Sequence, residues 1–196
     1  MQGSSVCQGY AYAFSYLMKH WTEMTGRDYV QGYNLYPTVV SDTHAWNIIR
    51  AASTNDANMD VTWDDPDVSD RYGNPYILYD FFGLSTNEIE LIDAHAVAGS
   101  NQLTDSSGAF GSSFNYHKHE GYYLNEFNLD KLAAVLAEQY DSGTNVLTVR
   151  FEYQADFEQM ADNLSYILSR IGYSDYCTYT WRDELLTFNI LLYPAR

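Results

Sequence analysis

The sequence predicts an α+β protein: a long helix and an antiparallel hairpin, followed by a small α/β unit. Three observations carry that expectation. A long helical pattern opens the chain, two extended stretches flank a turn near residue 52, and after Tyr122 helical and strand patterns alternate regularly. With 196 residues the chain can bury a real core as one domain, or as a core with a subdomain. We divide it into a core over residues 1–122 and a subdomain over 123–196.

The first element spans residues 6 to 24. Tyr10, Ala13, Phe14, Leu17, Met18 and Trp21 recur at helical spacing, Ser4 or Ser5 is placed to cap the start, and Gly26 to end it. The hairpin covers residues 39 to 63. Val39-Val40 and residues 44–49 form its first arm, residues 53–58 have turn chemistry, and Met59 to Trp63 return. A strand is expected at 76–82. Ser85 and Glu88 then form a capping box for a short helix to Ile92. Residues 98–114, rich in Gly, Ser and Ala, read as a long loop.

The subdomain reads as α-β-α-β-β. Leu129, Leu132, Leu136 and Tyr140 line one helix, and Leu147, Val149 and Phe151 alternate as a strand. Phe157, Met160, Leu164 and Ile167 line a second helix that stops at Gly172. Strands over 173–181 and 185–193 complete it.

Composition excludes several function classes. A net charge of -16 repels phosphate backbones, which argues against nucleic acid as a partner. No apolar run approaches the roughly 18 residues of a membrane span. Hydrophobic residues are 46% and charged residues 18%, a folded composition. Two cysteines allow one disulfide at most, not a disulfide framework. No apolar leader segment follows Met1.

The chemistry centres on Cys7, His44 and Asp60. A thiol nucleophile needs a position that favours the thiolate, a base in reach, and a group that fixes the base's tautomer. Cys7 falls in the expected first helical turn, where backbone N–H groups are unpaired and the helix dipole favours an anion. His44 and Asp60 are placed symmetrically about the hairpin turn, on neighbouring strands. On spacing alone, a cysteine at such a place is more often packing than catalysis.

Three motifs sharpen that reading. Gly3-Ser4-Ser5-Val6-Cys7-Gln8-Gly9-Tyr10-Ala11, Thr43-His44-Ala45-Trp46-Asn47 and Met59-Asp60-Val61-Thr62-Trp63-Asp64-Asp65-Pro66 follow one another in order. Together they resemble the nucleophile helix, the H-A-W-N strand and the V-D-V-T-W-D-D-P strand of bacterial transglutaminase-like domains. The resemblance is clear over residues 3–66, with a weaker echo through Tyr79-Asp80-Phe81-Phe82, residues 85–88, His95 and Phe114-Asn115-Tyr116.

It implies a papain-type core and acyl transfer through a thioester. Cys7 would be the nucleophile, His44 the base and Asp60 the orienter, and the Cys7 N–H would give one oxyanion donor. It implies no cofactor, and a peptide or protein substrate such as a cell-wall peptide. Hydrolysis is favoured over cross-linking. A secreted or cell-envelope bacterial setting is preferred, and the oligomeric state is left open. The alternative is a catalytically silent binding or cell-surface protein that keeps the fold. Members of the family carry a longer segment before the nucleophile than the six residues here, and a Gly-Trp-Tyr turn where this chain has Asn55-Asp56-Ala57-Asn58.

Other candidates have plainer readings. Trp46 and Trp63 line a substrate groove or belong to the core. Gln2 is placed to mimic a glutamine oxyanion donor. Asn47 is expected to hydrogen-bond near the triad. His117-Lys118-His119 reads as a solvated loop, His95 as a helix-end residue, His20 as a surface residue and Cys177 as a small buried hydrophobe. Residues 64–67 read as a turn with solvated carboxylates rather than a calcium site.

Overall fold

A long first helix, a hairpin and a later run of helices and strands make a mixed α+β chain, with two four-stranded sheets among the described residues. The computed structural model describes residues 3–25, 33–40, 44–51, 56–66, 76–92, 95 and 114–193. Two compact units divide them, one formed by Met1–Asp64 with Phe81–Tyr116, the other by Asp65–Asp80 with His117–Arg196.

In the first unit, helix α1 (Gly3–Thr25) packs on strands β1 (Tyr33–Val40) and β2 (Ala45–Ala51). Strands β3 (Asp56–Met59) and β4 (Phe82–Leu84) complete an antiparallel sheet in the order β1-β2-β3-β4. The helix starts ahead of the expected Val6, so Ser4 and Ser5 lie inside it rather than capping it. Its inner face carries Cys7 and Ala11, both buried, with Tyr10, Phe14 and Met18 half-buried. Ala13 and Leu17, expected inside, are exposed, because the helix turns its 7–11–14–18 stripe to the sheet.

Strand β1 was legible only at Val39-Val40. Its ladder is interrupted between Tyr36 and Val39, where Pro37 has no N–H to donate, a tolerable defect in an edge strand. The hairpin pairs Asn47 with Met59 and Arg50 with Asp56. The return strand is shorter than expected: it ends at Met59, and residues 61–63 form a turn. Residues 76–81 are likewise not a strand, and only Phe82–Leu84 joins the sheet, beside Asn58 and Met59. Gly83 has a φ of +78°, and a Cβ there would stand 1.8 Å from the Phe114 carbonyl oxygen, so only glycine fits. Ser85 and Glu88 close the expected capping box on helix α2 (Thr86–Ile89).

Helix α3 (Tyr116–His119) precedes the elements of the second unit. That unit contains β5 (Tyr123–Leu124), α4 (Leu129–Asp141), β6 (Val146–Phe151), α5 (Gln154–Arg170), β7 (Cys177–Arg182) and β8 (Thr187–Leu192). The sheet order is β5-β6-β8-β7, with β5 parallel to β6 and the other pairs antiparallel. Leu136, Met160, Ile167, Val149 and Ile190 stand at the centre of one continuous apolar core. Asn128 caps α4 by accepting from the N–H groups of Asp130 and Lys131 at 3.0 Å each. Buried Gln139 replaces a strand partner for Thr148, accepting from its N–H and donating to its carbonyl, both at 2.8 Å.

Polar side chains of β6 and β8 are also buried. His117 Nε2 lies 2.8 Å from Thr148 Oγ1, and Asn189 donates to both carboxyl oxygens of Asp80 at 3.0 Å. The expected solvated loop at 117–119 is therefore a short helix with His117 wholly buried. Cys177 is half-buried in β7 and Cys7 belongs to the other unit; neither is in a disulfide. Among the described residues no helix is long and apolar enough to cross a membrane.

Candidate active site

Asp60 organises the site. It directly follows β3, where its N–H donates to the Phe81 carbonyl at 3.1 Å and its own carbonyl accepts from the Asp64 N–H at 3.1 Å. Asp64 is not a solvated carboxylate as expected. It is buried, and its Oδ1 accepts from the Phe81 N–H at 2.8 Å, tying the 60–64 turn to the next segment. Within that turn Asp60 Oδ1 accepts from the N–H groups of Thr62 at 3.1 Å and Trp63 at 3.3 Å. Its carboxylate is thus held on one side by backbone, with Oδ2 directed away from the turn.

Two histidines meet that second oxygen. His44, immediately before β2, places Nε2 2.5 Å from Oδ2, and His95 places Nε2 at 2.6 Å. Asp60 and His95 are fully buried, and His44 is 8% exposed. Burial pushes the Asp60 carboxyl up, but hydrogen bonds from His44 and His95 and their charges outweigh it and hold it below the ordinary carboxylate value.

Aromatic rings wall this cluster. The His44 ring lies nearly parallel to Trp46, and His95 packs edge-on to Trp46 and Trp63 at centroid distances of 4.9 and 4.8 Å and stacks on Phe81. Trp46 resolves toward the core: it is buried, and its Nε1–H donates to Asn58 Oδ1 at 2.9 Å. Trp63 is half-buried beside His44, with its ring centroid 5.5 Å away. Asn47 faces the helix, donating to the Ala11 carbonyl at 3.1 Å and to Ser15 Oγ at 2.9 Å. That amide bolts α1, which bears Cys7, to the strand that begins beside His44.

Cys7 is buried on α1. A helix that starts at Gly3 places it beyond the first turn, where the backbone N–H belongs to the helical ladder. This corrects the expectation that its N–H is an orphan donor ready for an oxyanion, and it weakens the dipole's hold on a thiolate, which fades after the first turn. Gln2 lies outside the described residues. His20, as expected, sits on the surface, paired with Glu23 at 2.8 Å.

His95 was missed as a site residue. Its only sequence signal was its place in the weak family echo; the neighbouring helix hid it as an end residue. His44, Asp60 and His95 are also a group that offers three metal-ligand atoms within 4.8 Å. Zinc bonds of about 2.0–2.2 Å in a tetrahedral site hold two ligand atoms ~3.3 Å apart. The nitrogens here stand 2.5 and 2.6 Å from Oδ2, which is hydrogen-bond spacing. No protein-family model matches this chain, and no curated protein matches it.

Proposed function

We propose that the chain is a transglutaminase-like thiol enzyme with a papain-type core, acting on peptide or amide substrates. The observation that carries this reading is the buried His44–Asp60 pair, its Nε2···Oδ2 distance 2.5 Å, set at the start of the strand against which the Cys7 helix packs. It is supported by the order of the three motifs that bear those residues.

In this mechanism Cys7 Sγ attacks the substrate carbonyl carbon while His44 Nδ1 takes the thiol proton. Collapse of the tetrahedral adduct breaks the carbonyl–nitrogen bond, and His44 returns the proton to the leaving amine. Water, deprotonated by His44, then attacks the thioester carbon; the carbon–sulfur bond breaks, the acid leaves, and His44 returns the proton to Cys7 Sγ. Asp60 keeps His44 in the Nε2–H tautomer and stabilises the imidazolium formed in each step. Hydrolysis is the favoured outcome over cross-linking, and cell-wall peptides are one substrate class within this reading.

One observation favours the alternative of a silent binding or surface protein. Cys7 lies beyond the first turn of α1, so its N–H is not offered to an oxyanion. The two readings part on covalent chemistry. Incubation with activated acyl esters and amides, followed by intact-mass and peptide mass spectrometry, should show an acyl group on Cys7 that is absent in Cys7→Ser and His44→Ala. Absence of both a Cys7 adduct and Cys7-dependent hydrolysis of a reactive ester would defeat the enzyme reading.

A further inference from the structure

We infer that His95 is a positioning residue of this site, the second imidazole that locks Asp60 in the geometry His44 needs. The inference rests on the thiol-enzyme reading above. Asp60 Oδ2 is shared by His44 Nε2 at 2.5 Å and His95 Nε2 at 2.6 Å, while Oδ1 takes the backbone N–H groups of Thr62 and Trp63. The carboxylate therefore has both oxygens committed, and neither can swing to another partner. A carboxylate accepts only, so each imidazole must present Nε2–H to it. For His44 that tautomer leaves Nδ1 as the base.

His95 is built to stay where it is. It is fully buried, Trp46 and Trp63 meet it edge-on, and Phe81 stacks on it at 5.8 Å with an interplanar angle of 20°. Its Nδ1 is buried with no hydrogen-bond partner among the described residues, so nothing there accepts a proton from that nitrogen. Protonation on Nδ1 instead would set the Nε2 lone pair against Asp60 Oδ2 at 2.6 Å, which again selects the Nε2–H form. His95 has no exposed edge on which to touch a substrate; it acts through Asp60.

Cost in the ground state is the sign of such a role. A lone apolar residue at 95 would fill the aromatic cage without a buried imidazole nitrogen left unpaired. For the cage alone histidine is the costlier choice, and the bond to Asp60 is what it supplies.

The test follows Cys7 alkylation by iodoacetamide across the pH range in which thiols titrate, in wild type, His44→Ala, His95→Gln and His95→Phe. Glutamine keeps an N–H where Nε2–H stood; phenylalanine keeps only the ring packing. His95→Phe should slow Cys7 about 10- to 100-fold, the scale of a misplaced catalytic group, and raise the pH midpoint, and it should lower the thermal midpoint because the buried Asp60 carboxylate loses a donor. His95→Gln should restore most of the rate. A second reading needs no variant that might misfold. In wild-type protein labelled with 15N-histidine, His44 and His95 should both carry slowly exchanging protons on Nε2. His95 protonated on Nδ1 alone would overturn the inference. If His44→Ala slows Cys7 and His95→Phe does not, this inference fails by itself. If wild-type Cys7 reacts no faster than a free thiol, the enzyme reading fails and takes the inference with it.

Discussion

Around Asp60 the first unit buries His44, Asn47, Asn58, Asp64 and His95 beside the apolar Trp46, Ile48, Met59, Phe81 and Leu84. The second unit instead closes over one continuous core that runs from Leu124 to Leu192 through both long helices. Burying polar groups is tolerable only when each finds a partner, so the first unit's integrity hangs on hydrogen bonds. The second buries Asp80, His117, Gln139 and Asn189 as well, and sets beside them one large core whose volume many apolar side chains can supply. The contrast teaches where a site can be built: a cluster of charged groups needs a frame whose own bonds hold it, and Asn47, Asn58 and Asp64 are that frame.

The largest effect should come from Asp60→Ala. It leaves two buried imidazoles and two turn N–H groups without their acceptor, a loss of about 3–5 kcal/mol. Hydrogen exchange should rise across residues 44–64 and stay protected in α4, α5 and β6–β8. Equal loss in both units would break the comparison. Leu136→Ala should do the reverse, costing ~3 kcal/mol through a cavity in the second unit. Cys7 alkylation should then be unchanged.

Acid should separate the units next. Burial and the Arg150 charge hold His117 down to about 3 from its ordinary 6.5. Between those values the unfolded chain binds a proton that the folded one does not, so this contribution is whole above pH 6.5 and is lost as the pH falls toward 3. At pH 5 the loss is about 2 kcal/mol. Asp80 works against it: burial raises its carboxyl despite Asn189 and the nearby arginines, so acid relieves that strain as the pH falls through the raised value. Asp60 is held low, and its contribution is whole above 3.8 and is lost only below it. In Asp80→Asn, where the opposing carboxyl is gone, exchange at pH 5 should therefore loosen the second unit before the first; the opposite order would contradict these assignments. The smallest effect is Asn128→Ala, about 1 kcal/mol at the start of α4, read as a shift in the denaturation midpoint.

How much of this was legible differs by unit for a physical reason. The second unit's helices and strands follow from periodicity because its core is apolar and its elements are regular, so Leu132, Leu136, Val149 and Met160 fall on the expected faces. Short β5 and the burial of His117 escaped, since both depend on partners distant in sequence. In the first unit, motif order pointed to His44 and Asp60, whose pairing the hairpin register then explains. The return strand was misjudged because Thr62 and Trp63 read as strand residues, while Asp60 turns the chain by accepting their N–H groups. His95 was illegible for the same cause: its role exists only through a contact 35 residues away.

The central claim is that His44 and Asp60 serve a reactive thiol, and Cys7 alkylation at neutral pH reads it directly. Peptide mass spectrometry after timed iodoacetamide exposure would compare Cys7 with a free-thiol peptide, with Cys177, whose burial raises its thiol, and with His44→Ala. The account predicts that Cys7 outpaces the free thiol and falls to or below it in His44→Ala. A Cys7 that reacts no faster than the free thiol, or that is indifferent to His44, would contradict it.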